Sequence, residues 1–272
     1  MSENPENQTW EGARHLHTPR RKPKRNGPVL SGVVLAFIAL GVVRCALQSS
    51  MEIRSSSPPE RISETFDKDM TTQALAPWRD EILRDFPPLY VEMRRTFIMR
   101  IQSGDARPEA MRAAIKTASD FGRAHIGAVP QASERALAAL VAQNAASMKT
   151  FGSAGEEACA HFVVTGGAKG SATDLLLAVT RRNAAMFHAI HDGETAPVKR
   201  AALTASELAT FRSALASRGL APNLIQTVFE GGLEQLSAAD QCKTGTVAYG
   251  VLAGMPAATA AKITAALTAS GG

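Results

Sequence analysis

The chain is predicted to be all-α: a single N-terminal transmembrane helix, a disordered linker, and a globular array of short helices. Three observations predict this. Alanine dominates the composition, aromatics are only 5% of the residues, and β-branched runs are scarce, a balance that suits close-packed helices better than sheets. Helix-starting residues recur along the body, each followed by apolar residues at i, i+3 or i+4 spacing. Near the N-terminus an uncharged apolar run, Val29 to Val43, follows a basic cluster.

Residues 1–27 are polar, rich in Asn, Pro and charge, and read as a disordered cytoplasmic tail. The apolar run then supplies what a bilayer demands, a helix that satisfies its own backbone groups. Its fifteen residues rise roughly 22 Å against about 30 Å of hydrocarbon. Extending the span to residues 28–47 gives adequate length and places Arg44 near its end, where an arginine can snorkel to the headgroups. Arg20, Arg21, Lys22, Lys24 and Arg25 precede the span, whereas only Arg44 and Arg54 follow closely. The positive-inside bias therefore keeps the N-terminus in the cytoplasm and exports the rest.

A cleaved signal peptide is the competing reading. Against it stand the long n-region and the lack of a small-x-small site, since Arg44 precedes Cys45-Ala46. Arg44 also spoils a lipoprotein box at Cys45, and Lys22-Pro23 lacks the apolar residues of a twin-arginine signal. Anchor and cleaved peptide agree that the C-terminal part is exported. The organisation points to a bacterial inner-membrane protein with a periplasmic domain.

Charge excludes one class of partner. Residues 1–44 hold seven Lys and Arg against three acidic residues, leaving 23 basic and 22 acidic residues in the body. The high pI thus belongs to the tail, where it orients the anchor beside membrane lipid, and no nucleic-acid surface is implied.

Residues 48–75 read as a linker, because Ser55-Ser56-Ser57 and Pro58-Pro59 are poor helix formers. Ile62, Phe66 and Met70, at i, i+4 spacing, predict a short helix inside it. Residues 76–272 form the helical domain. Pro77, Pro87-Pro88, Pro108, Pro222 and Pro256 each open a helix, and Ser133 precedes another. Ser153 with Glu156, Thr204 with Glu207, and Ser237 with Asp240 have the spacing of capping pairs, and Ser171 with Asp174 resembles one. Gly219 ends the Thr204 helix in the left-handed position. Trp78, Phe86, Tyr90, Phe97, Phe121, Phe151 and Phe162 fall at helical spacing and are most simply core.

Two of the three cysteines, Cys159 and Cys242, lie in the exported part, where thiols oxidise in pairs. Their bridge closes a long loop, worth on the order of 4 kcal/mol by chain entropy. Two separately buried thiols are the alternative.

No catalytic, cofactor or metal centre emerges from the pattern. His188 and His191 share a helix face with Asp192 beside them, and Glu157 and His161 sit on another helix, but no established metal spacing joins them. Gly193 predicts that the histidine pair lies at a fraying helix end. Gly166-Gly167-Ala168-Lys169-Gly170-Ser171 fails as a phosphate loop because Gly170 separates Lys169 from Ser171. Phe151 stands where a nucleophile elbow at Ser153 needs glycine. The expected function is therefore a non-catalytic interaction or scaffold module of the cell envelope, with an envelope protein as partner. The alternative is an envelope hydrolase, either peptidoglycan-acting through Glu230 and Glu234 or metal-dependent through His161, His188 and His191.

Overall fold

Proline and hydroxyl residues start most helices where the sequence places them. The computed structural model describes residues 55–169 and 172–269, and among these there are eleven α-helices and no strand. They are α1 Pro59–Met70, α2 Ala76–Asp85, α3 Pro87–Gln102, α4 Arg107–His125, α5 Glu134–Ala154, α6 Glu156–Thr165, α7 Thr173–Thr195, α8 Ala205–Ser217, α9 Pro222–Glu230, α10 Ala238–Gly254 and α11 Ala257–Ala269. Two 3-10 turns, Ile126–Gln131 and Leu233–Gln235, complete the order. The Val29–Val43 run, Cys45 and the basic cluster lie outside the described residues; among the described residues no helix is long and apolar enough to cross a membrane.

The caps at Ser133, Thr204 and Ser237 form as expected. Ser133 Oγ accepts from Ala136 N, and Ser237 Oγ accepts from Asp240 N. Thr204 and Glu207 make a reciprocal box, with Glu207 N donating to Thr204 Oγ1 and Thr204 N donating to Glu207 Oε2. Each bond satisfies an amide that has no partner within its own helix. Gly219 has φ of 78° and lets Leu220 N return to Leu215 O.

Two predicted starts differ. Ser153 belongs to the last turn of α5, where its Oγ donates to Lys149 O. The chain reverses at Gly155, whose φ of 113° is open to glycine and strained for other residues, and α6 starts after it. The apparent Ser153–Glu156 box is therefore two helices meeting at a glycine. At α7 the N-cap position is Ala172 without a side-chain bond, and Ser171 lies outside the described residues.

Packing is organised around α5 and α7, which lie against each other. α7 also carries α2 and the 3-10 turn at Ile126–Gln131, while α5 carries α6, α10 and α11. α3 pairs with α4, and α1 covers α3. One continuous apolar core results. Phe66 of α1 meets Tyr90 and Phe97 of α3 at 5.5 and 5.4 Å between ring centroids. Phe151 stacks on Phe162 at 4.4 Å, joining α5 to α6. Of the aromatics read as core, Phe121 alone is only half-buried.

α1 falls within the segment read as linker, yet Ile62, Phe66 and Met70 are fully buried in this same core. Asp69, also buried, accepts from Arg107 at the start of α4 in a two-pronged ion pair, Nε to Oδ2 at 2.9 Å and Nη2 to Oδ1. Residues from Pro59 on therefore pack as part of the helical body.

Two helical glycines set close approaches. A Cβ on Gly193 would stand 2.1 Å from Ala128 O, so α7 touches the backbone of the 126–131 turn there. A Cβ on Gly245 would stand 2.4 Å from Val163 Cγ2, so α10 lies unusually near α6. Gly245 is three residues beyond Cys242, and Val163 is four beyond Cys159, so the cysteines and the Gly245–Val163 contact are neighbouring rungs of one helix pair. The sulfurs of Cys159 and Cys242 lie 1.99 Å apart, at bonding distance.

Candidate functional site

Glu81 and Asp85 are one turn apart on α2, so their carboxylates share a face. That face meets α7 at His188. Packing fixes the register: Trp78 on α2 meets Phe187 on α7 edge-on at 5.8 Å, and Phe86 meets Phe187 at 5.7 Å. His188, the next residue after Phe187, is thereby carried to the rim of the interface, half-exposed. Its Nδ1 is 3.2 Å from Glu81 Oε1 and 3.6 Å from Asp85 Oδ2. Both carboxylate side chains are nearly sealed from water, at 11% and 8% exposure.

Arg84 reaches over this group from solvent. Its Nη2 donates to Glu81 Oε1 and to Asp85 Oδ2 at 3.0 Å, and stands 3.4 Å from His188 Nδ1. Its Nε donates to Asp85 Oδ1 at 2.9 Å. Burial, then the hydrogen bond with Asp85, pushes the Glu81 carboxyl up to about 7. Burial also acts to raise Asp85, but hydrogen bonds from Arg84 and Glu81 outweigh it and hold Asp85 below the usual carboxylate value. The two neighbouring carboxyls are thus pushed in opposite directions. Chemically, the cluster is a two-carboxylate, one-imidazole donor set.

The sequence singled out His188 and His191 but gave them the wrong companions. His161 and Glu157 lie on α6 and are not part of this group; burial, and next the charge of Lys169, lowers His161. His191 is one turn beyond His188, with its ring edge-on to Phe86 at 5.5 Å. Asp192 serves the scaffold by accepting from Ser133 N at the start of α5. The pair is not at a fraying end, because α7 continues to Thr195 and Gly193 is buried against Ala128.

Compared with known protein families, curated proteins and solved structures, the chain shows no match. The candidate site therefore rests on its own geometry.

The other sequence candidates are scattered. Glu230 ends α9, exposed, and accepts from Gln226 Nε2 at 2.7 Å, while Glu234 is exposed on the 3-10 turn that follows. Gly166 ends α6 in the left-handed conformation at φ 68°, as an interhelical turn requires; Gly170 and Ser171 lie outside the described residues. Sequence reasoning missed Glu81 and Asp85. Their i, i+4 spacing was visible, but the pattern resembles any solvated helix face until α7 covers it.

Proposed function

We propose that this is a single-pass, membrane-tethered protein whose helical body works in the periplasm as a non-catalytic interaction module of the cell envelope. The N-terminal tail stays in the cytoplasm, residues 28–47 span the inner membrane, and an envelope protein is the partner. The observation that carries the reading is the Cys159–Cys242 pair at bonding distance. Structural disulfides persist in oxidising compartments and are rare where thiols are kept reduced. The order of basic cluster, apolar run and near-neutral body supplies the direction of export. Tethering confines the body to a thin layer above the bilayer, raising its effective concentration toward neighbouring envelope proteins.

Two measurements test this. Alkaline phosphatase fused at the C-terminus is expected to be active, and a fluorescent protein that matures only in the cytosol is expected to stay dark at the same position. The reverse outcome overturns the topology. In-cell crosslinking followed by mass spectrometry is expected to recover an envelope protein; recovery of no such partner overturns the interaction role.

A further inference from the structure

We propose that Glu81, Asp85 and His188 form a binding site for a divalent transition-metal ion of the zinc class, held closed by Arg84. The geometry carries it. A tetrahedral zinc ion with bonds near 2.0–2.1 Å sets neighbouring ligand atoms about 3.3 Å apart. His188 Nδ1 lies 3.2 Å from Glu81 Oε1 and 3.6 Å from Asp85 Oδ2, and all three donors fall within 4.8 Å of one another. Two of the three edges are therefore already near ligand spacing, and along the third Glu81 and Asp85 are hydrogen-bonded to each other.

The donor set already faces one positive group of the protein itself. The three donors converge on one atom, Arg84 Nη2, which lies within hydrogen-bond reach of Glu81, Asp85 and His188 together. The protein thus holds one of its own positive groups at the focus of the donor set. Arg84 is 58% exposed, while the two carboxylates it covers are nearly buried, so the guanidinium can withdraw to water without disturbing the core. Its departure opens a fourth position on the solvent side. An imidazole nitrogen beside two carboxylates favours zinc-class ions over calcium or magnesium, which prefer oxygen alone. His191 and Phe86 border the site, and the α2–α7 packing at Trp78, Phe86 and Phe187 fixes the positions from which the ligands project.

Arginine and metal compete for the same donors, which separates this site from a plain ion-pair network. In calorimetric titration of the full-length protein in detergent with zinc chloride, the wild type is expected to bind one ion per chain. Arg84→Gln is expected to bind about tenfold more tightly or better, because the competitor is gone. His188→Ala is expected to lose the ion. Zinc bound no more tightly by Arg84→Gln than by wild type, or binding that survives His188→Ala, overturns the proposal. Circular dichroism checks that each variant is folded. Should a variant unfold, cobalt(II) titration of the wild type decides: the intense visible absorption of four-coordinate cobalt supports the site, and the weak spectrum of the hydrated ion overturns it. The site stands or falls independently of where the protein is tethered.

Discussion

Gly193 of α7 lies directly against the carbonyl of Ala128, leaving 2.1 Å where a Cβ would stand. The obstacle is backbone, so a substituent cannot be accommodated by turning a side chain. Gly193→Ala is expected to destabilise the protein by about 1–3 kcal/mol despite alanine's better helix propensity. Gly250, inside α10 with nothing within 4 Å of a built Cβ, is the contrast. Gly250→Ala is expected to stabilise by about 0.4–1 kcal/mol. Urea unfolding of both variants checks the pair; equal effects would contradict the close approach.

The Cys159–Cys242 link spans a sequence separation of 83 residues. Replacing both cysteines by alanine is expected to lower stability on the order of 4 kcal/mol, chiefly by freeing the unfolded chain. Unfolding curves with and without reductant check this, and non-reducing mass spectrometry should find no free thiol at either position. Unchanged midpoints would count against the bond.

Asp69 and Arg107 join α1 to α4 below the surface. Asp69→Ala removes the buried carboxylate that accepts both prongs of Arg107 and is expected to cost about 3 kcal/mol. For the same reason a chain starting at residue 55 is expected to be clearly more stable than one starting at 76, which lacks Phe66 and its packing on Tyr90 and Phe97. Thermal unfolding of the two chains decides whether α1 is core or tether.

Glu207 closes the α8 cap and also receives Lys262 Nζ of α11 at 2.7 Å. Lys262, followed by the Thr204 bonds, holds its carboxyl down to about 2, from an ordinary glutamate value near 4.5. A depressed folded-state value adds stability above the unfolded value and loses it as pH falls toward the folded one. Stability is therefore expected to drop between about pH 4.5 and 2 more steeply in the wild type than in Glu207→Gln. Urea midpoints across that range measure the difference.

Where the helices begin was legible because the signals are local. Pro87-Pro88, Pro222, Ser133, Thr204 and Ser237 act within one turn of their own position, and each appears at a helix start. The Ser153 misreading is instructive: its hydroxyl has two local uses, capping the next helix or bonding back within its own, and Gly155 decides between them. The pairing of Cys159 with Cys242, which the structure places at disulfide distance, was expected from the small number of cysteines and from an expectation of export. The α2–α7 site was not, since Glu81 and His188 are more than a hundred residues apart. Helical periodicity says which residues share a face but not which faces meet. Gly193 shows the same limit: a glycine near a helix end reads as a terminator, and only the neighbouring turn at Ala128 shows it to be a contact.

The sulfur link between α6 and α10 encloses α7, α8 and α9 within a single covalent ring. A protease that cuts once in the extended connection after Thr195, or at any peptide bond inside that ring, opens the backbone without releasing a fragment. The cleaved protein would migrate as one species until a thiol is added, and only then separate into two pieces.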